Sequence, residues 1–561
     1  MTRPITSEEI NLPYLPYISR EISVGNILLG GKQDVRIQSM TNTDTLDTKK
    51  TVEQTIRMIE AGAELVRITA QNIQSAENLE NIKNELTLRG YSNPVIADIH
   101  YNPKAAEIAA KLIDKVRINP GNYVDRNIRN ITYSDREYRE ELLRIAERLY
   151  PLLEICKQNG TAIRIGTNHG SLSQRIVNRY GDTPLGMAES AMEFVRICHA
   201  QNFHKLVLSM KASSIRAMIY ATRLLVAKMK QEGFDYPIHL GVTEAGDGED
   251  GRLKSAAGIG TLLMEGIGDT IRVSLTEDPE KELPVARSIV NICKESRNSV
   301  HKQEEALHPY AFYKNEKYHF PPLVLSKEKN QHADFILKNQ ALTIDPDKTD
   351  SPVSPENFEI QANPNRINKG EWNIIPIGNQ SVSELRTTFK NLHCINEENP
   401  LGFIFEAENV SIEEYKLKAA IYTGALQSDG IGQAFLLKYK NLTSEECSKL
   451  TLDILQACGT RIHKTEFISC PSCGRTQYKI QEVLQEIKAR LSHLKGLKIG
   501  VMGCVVNGPG EMADANYGYV GSGFGKVNLY KGKTLIQKNI DESKAIDRLI
   551  EIIRENGDWN E

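Results

Sequence analysis

Up to about residue 290, short β-branched runs alternate with longer stretches in which apolar residues return every three or four positions. The runs read as strands: "VRIQSM" (35–40), "LVRITA" (65–70), "VIADIH" (95–100), "KVRINPG" (115–121), "AIRIGTN" (162–168), "KLVLSMKA" (205–212), "IHLGVTEA" (238–245) and "DTIRVSL" (269–275). Between them lie helical patterns such as "TVEQTIRMIEAGA" and "SIRAMIYATRLLVAKMKQEG". Eight successive strand–helix units predict an α/β fold closed into a TIM (β/α)8 barrel. An open, doubly wound sheet would use the same elements. Gly258 and Gly260 do not follow a first strand as a dinucleotide fingerprint requires, which favours the barrel.

From residue 297 the pattern changes. "NEKYHFPPLVLSKEKN" and "DPDKTDSPVSPENFEIQANPN" are rich in Pro, Asn and charge, with short strand-like pieces such as "GFIFEA" and "AFLLKYK". Residues 297–446 read as a central α/β insertion without a cluster of chemically useful side chains, and so as a packing or spacer module. Residues 447–561 begin with the helical pattern "CSKLTLDILQAC". They continue through two cysteine motifs, a helix near 477–494, the strand "LKIGVM" and a final helix near 541–555, a small α+β domain. The expected domains are thus 1–296, 297–446 and 447–561.

Composition changes this picture little. Of 561 residues, 40% are hydrophobic and 25% charged, which suits a globular protein of several domains. Lys plus Arg number 69 against 72 Asp plus Glu, a net charge of −3, which argues against a dedicated nucleic-acid binder. Nine cysteines without an apolar leader suggest a reducing compartment. No apolar run is long enough to span a bilayer, so a cytoplasmic protein is expected.

Barrel chemistry is built at the C-terminal strand ends. Read in order, those ends carry Arg67; Asp98 and His100; Arg117 and Asn119; Arg164, Asn168 and His169; Lys211; Glu244; and Arg272. Five cations around one mouth would repel unless an anion binds there, and arginine suits bidentate contact with phosphate. The plainer alternative is that some are held by Asp98, Glu244 or Asp269. Glu244, a carboxylate among cations, should have a lowered pKa unless desolvation outweighs the charges.

The second constellation is "SCPSCGR" (469–475) with "GCVVNGPGE" (503–511), which together bring Cys470, Cys473 and Cys504. A zinc site completed by His463 or His493 is the plain reading. Cys447 and Cys458 share a helical face with Leu450 and Ile454, and Cys156, Cys198 and Cys293 sit in apolar helical patterns, so packing accounts for them. Cys394 lies in the insertion without a partner motif. Glu511 is the remaining candidate for the fourth ligand, since the Pro509–Gly510 turn could swing it back over Cys504. A glycine-rich loop suits a bulky sulfide cluster more than a small ion. A carboxylate is also a poor match for cluster iron, which leaves that iron open to exchange for substrate oxygen.

These stretches, with "QSMTNTDT", "ADIHYNP", "RINPGN", "IRIGTNHGSL", "HLGVTEAG" and "EGIGDTIRVSL", resemble the 4-hydroxy-3-methylbut-2-enyl diphosphate synthases of the GcpE/IspG family. The resemblance covers most of residues 20–290 and 460–525, and the middle segment looks like that of the long three-domain form. It implies reductive ring opening and dehydration of 2-C-methyl-D-erythritol 2,4-cyclodiphosphate in isoprenoid biosynthesis. It implies one [4Fe–4S] cluster per chain on Cys470, Cys473, Cys504 and Glu511, and Glu244 as the essential barrel carboxylate. Arg67, Arg117, Arg164, Lys211 and Arg272 would hold the diphosphate, with Asp98, Asn168 and His169 completing the substrate site. Ferredoxin or flavodoxin would supply electrons to a cytoplasmic homodimer, or to a plastid enzyme lacking its transit peptide. The insertion would let the cluster domain cap the barrel of its own chain.

Overall fold

The computed structural model describes residues 13–14, 17–99, 101–124, 133–300, 307–309, 321–338, 341–344, 358–360, 372–378, 401–505, 508–512 and 514–560. His100 and Cys394 lie outside them. Eight parallel strands form one sheet: Arg36–Met40, Leu65–Ala70, Val95–Ile99, Lys115–Ile118, Ala162–Asn168, Leu206–Lys211, His239–Leu240 and Thr270–Ile271. The eighth pairs with the first, and a parallel bridge from Leu208 to Ile238 joins the sixth strand to the seventh, closing the barrel. The last two strands are shorter than the sequence pattern suggests, since only two residues of each keep ladder geometry.

Strands two to six are buried at every position, as a parallel sheet covered on both faces requires. Inward positions therefore sort by depth. At the strand starts, Leu65, Ile96, Ala162 and Val207 pack with Ile22, Val24 and Leu29 of a preceding β-hairpin, an apolar plug for the N-terminal end. Toward the C-terminal ends the inward side chains become Arg67, Asp98, Arg117, Arg164 and Lys211, all buried.

The last five strands form a second sheet of the same compact unit, in the order Glu466–Ser469, Lys498–Met502, Tyr517–Gly523, Lys526–Lys531 and Thr534–Asp541. The first two pairings are parallel and the others antiparallel. Helices Ile480–Leu491 and Glu542–Glu555 bury Leu484, Ile487, Leu549 and Ile553 against Ile499, Val501, Tyr517 and Tyr519. This is the small α+β domain expected at the C-terminus.

A second compact unit comprises residues 1–16, 252–267 and 288–463. Its seven-stranded open sheet runs Ala341–Ile344, Phe335–Lys338, Leu323–Ser326, Ala434–Lys438, Leu401–Glu406, Trp372–Ile377 and Phe358–Ile360, parallel except at the first pair. Helix Ser444–Ala457, opened by a Thr443–Glu446 capping box, belongs to this unit and carries it past the boundary expected at 446. Gly260, set aside above as a nucleotide signature, has a packing use. A Cβ there would lie 2.4 Å from Ile421 of helix Ile412–Ser428. Among the described residues, no helix is long and apolar enough to cross a membrane.

Candidate active site

Adjacent parallel strands end at the same edge of a sheet, so Glu466–Ser469 and Lys498–Met502 deliver Cys470 and Gly503–Cys504 side by side. The Cys470 N–H donates to Val501 O at 3.3 Å, and the Gly503 N–H donates to Cys470 Sγ at 3.2 Å. Glu511 follows on the short helix Gly508–Glu511.

That edge meets the barrel mouth within one chain. Ala245 forms a parallel bridge with Ser469, and Thr276 Oγ1 lies 2.6 Å from Ser469 Oγ. Thr276 Oγ1 also donates to Cys470 O at 3.1 Å, and Asn42 Nδ2 donates to Ser472 Oγ at 3.3 Å. Asp247 receives Gln485 Nε2 at 2.7 Å and the Lys488 ammonium.

The result is a cavity with about 690 Å³ of atom-free space. Arg67, Asp98, Arg117, Arg164, Asn168, Lys211, Glu244 and Arg272 line it from the barrel, and Cys470, Cys473, Cys504 and Glu511 from the other wall. The His169 ring is not among the lining groups; its Nε2 faces Asp182, 3.5 Å from Oδ1. Nor do the two candidate zinc histidines reach the cavity. His463 Nε2 lies 2.9 Å from Asp453 Oδ1, and His493 packs edge-on against Trp559. Cys156, Cys198, Cys293, Cys447 and Cys458 are buried, as packing residues should be.

The five barrel cations differ in how they are compensated. Arg117 pairs with Asp98 at 3.3 Å and donates to Gly166 O and Asn168 Oδ1. Arg67 stands 3.9 Å from the same Asp98, and burial draws its guanidinium down to about 10, still charged at neutrality. Arg272 is gripped by both oxygens of Glu282 at 3.2 Å, an acid the sequence pattern did not single out. Asp269 instead accepts from Ser19 Oγ and the Ile238 N–H. Arg164 and Lys211 are pushed well below their ordinary values by burial, and neighbouring cations add to the effect. Nε and Nη1 of Arg164 have no hydrogen-bond partner. The Lys211 ammonium reaches so far inward that a Cβ on Gly241 would lie 2.6 Å from Nζ. Two buried cations without carboxylates of their own are costly unless an anion joins them.

Glu244 reverses the simple charge expectation. Its carboxyl is raised well above the ordinary range, first by burial and then by Glu511, which outweigh the opposing pull of Lys211. Its φ of +49° is left-handed, a strained backbone costing about 1–3 kcal/mol for a non-glycine residue. Glu511, 9% exposed, accepts from Asn168 Nδ2 at 2.7 Å. Asn168 thereby links an arginine of the barrel to the carboxylate of the cysteine wall.

Three thiols and a carboxylate along one wall suit a soft polynuclear centre. Burial pushes the Cys470 thiol up, and Cys473 and Cys504 add to this against the Gly503 N–H, so its thiolate needs compensating metal charge. Among the described residues, no three His, Cys, Asp or Glu side chains close on a single ion-sized point. A cluster with one protein ligand per iron takes a wider set. The residues fit such a group. Sequence reasoning missed Arg475, which also lines the cavity and whose charge faces the Cys473 and Cys504 thiols. The signal was its place in the C-x-x-C-x-R run.

Residues 19–287 match the family model described as the GcpE TIM-barrel domain, and residues 466–555 match that of the GcpE protein C-terminal domain. The chain is 44% identical to the 4-hydroxy-3-methylbut-2-en-1-yl diphosphate synthase (flavodoxin) of Parabacteroides distasonis, covering 98% of this chain and 100% of that protein. It is 43% identical to the protein so named in Bacteroides thetaiotaomicron, over 95% of this chain and 97% of the other. It is 44% identical to that of Akkermansia muciniphila, over 97% of each.

Proposed function

Because the chain belongs to the GcpE family, we propose that it opens 2-C-methyl-D-erythritol 2,4-cyclodiphosphate reductively to (E)-4-hydroxy-3-methylbut-2-enyl diphosphate. The C2–O bond to phosphate and the C3–OH bond break, C2=C3 forms, and two electrons and one proton enter as water leaves. One observation carries the reading: five barrel cations, three carboxylates and three cysteines line a single cavity.

Members of the family are iron–sulfur proteins. A [4Fe–4S] cluster held by Cys470, Cys473, Cys504 and Glu511 would supply the electrons and Lewis acidity. The remaining work falls to the chain's own groups. Arg164 and Lys211 take the diphosphate, since their charges are otherwise uncompensated. Arg67, Arg117 and Arg272 add to the field, with Asp98 and Glu282 fixing their orientation. Glu244, whose carboxyl burial and Glu511 hold above its ordinary range, donates the proton that the departing hydroxyl needs. Asn168 holds Glu511 in register with the barrel. His169 positions its strand end through Asp182. The cluster wall seals the mouth and limits access of water.

The relatives' names make flavodoxin the donor of choice. The proposal includes a cytoplasmic homodimer in which each chain completes its own site. Mixing Glu244→Ala with Cys504→Ser variants then restores no activity; recovery would mean a site shared between chains. The primary test is electron paramagnetic resonance on anaerobically purified, dithionite-reduced protein with and without the cyclic diphosphate. A [4Fe–4S]⁺ signal that changes with substrate supports the reading. Absence of a cluster after reconstitution refutes it.

A further inference from the structure

Arg475 stands half-buried in the wall beside Cys473 and Cys504, and among the described residues no carboxylate lies within ion-pair distance of it. Its Nε and Nη1 have no hydrogen-bond partner. Its backbone is pinned by a tight turn, in which the Thr476 N–H donates to Cys473 O at 2.9 Å and the Cys473 N–H to Thr476 Oγ1 at 3.0 Å. Across the cavity its charge faces Arg67 and Asp98. Cys473, then Asp98 and Cys504, are the groups whose negative charge would stabilise this guanidinium, so two of the three are sulfurs of the cysteine wall.

We propose that Arg475 tunes the reduction potential of the bound cluster, its charge beside Cys473 and Cys504 favouring the reduced state. This rests on the cluster reading above. The step is a one-electron reduction of [4Fe–4S]²⁺ to [4Fe–4S]⁺ by an external donor, with no bond made or broken. Reduction adds a negative charge, so a cation beside the cluster ligands stabilises the product more than the starting state.

The test is a redox titration of the reconstituted holoenzyme, dithionite as reductant, followed by electron paramagnetic resonance. It compares wild type, Arg475→Gln and Arg475→Lys, with iron and sulfide contents measured alongside. Arg475→Gln is expected to lower the one-electron equilibrium constant at least tenfold, about 59 mV, at unchanged cluster content. Arg475→Lys keeps the charge and loses the fork, so a smaller drop is expected. Equal midpoints for wild type and Arg475→Gln overturn the inference while leaving the cluster reading intact. A wild-type protein that takes up no cluster overturns both. Should Arg475→Gln hold no cluster, Arg475→Ala takes its place with the same expected drop, and a midpoint equal to wild type refutes the tuning role.

Discussion

Replacing Lys115 by methionine is expected to stabilise the barrel at and below neutral pH. Lys115 sits on the fourth barrel strand with 0% of its surface exposed, and Nζ has no hydrogen-bond partner. Burial pulls its ammonium from 10.5 down to about 7; Arg164 and Arg67 act in the same direction and Asp114 opposes. A displacement of about 3.5 units at about 1.36 kcal/mol each corresponds to about 5 kcal/mol of destabilisation when the group is charged. Between pH 7 and 10.5 the unfolded chain binds more protons at this site than the folded one, so wild-type stability rises with pH across that window. Below pH 7 the full cost is present. Methionine has similar length and no charge, so the variant should gain up to about 5 kcal/mol at pH 6, lose its advantage toward pH 10.5, and show no slope from this site. Hydrogen exchange of peptides spanning Lys115–Ile118 reads the local opening free energy at each pH. A variant less stable than wild type at pH 6, or a wild-type stability flat from pH 7 to 10, would refute the reasoning.

Three further outcomes follow from the cavity. Lys211 is pushed well below its ordinary value by burial and Arg164, so an anion that restores its charge should bind with proton uptake, and affinity should fall as pH rises. Calorimetry with the cyclic diphosphate in buffers of different ionisation enthalpy measures that uptake; none would exclude Lys211 as a contact. At Gly170, where φ is +76°, a Cβ would lie 2.1 Å from Gly510 O, so Gly170→Ala should displace the Glu511 segment. Turnover should drop about 100-fold with iron content retained; near-normal turnover would show that the two loops need not meet. Glu244→Gln keeps a neutral group of the same shape and should bind substrate normally while kcat falls roughly 10²–10⁴-fold. A changed KM with normal kcat would make Glu244 a binding group instead.

Much of this protein is written locally. The eight barrel strands follow from β-branched runs at regular spacing, because a parallel strand buried on both faces must be apolar except where it does chemistry. The cations at the strand ends and the C-x-x-C run were legible for the same reason: they interrupt a pattern that packing would otherwise impose. The five packing cysteines could be told from Cys470, Cys473 and Cys504 by helical period alone. What the chain does not display is which charges meet. Glu282 follows Arg272 by ten residues, yet it also accepts from Ser39 Oγ of the first strand only because the barrel closes on itself. Glu244 looks like a carboxylate among cations, yet burial and the approach of Glu511 raise its proton affinity, and both are products of the folded cavity. Arg475 reads as an ordinary loop arginine until two parallel strands set Cys470 and Cys504 on one edge against the barrel mouth. Sequence thus determined the elements and the kinds of side chain available. Tertiary structure decided the protonation and the pairing, because desolvation and charge–charge energies depend on distances that only long-range closure sets.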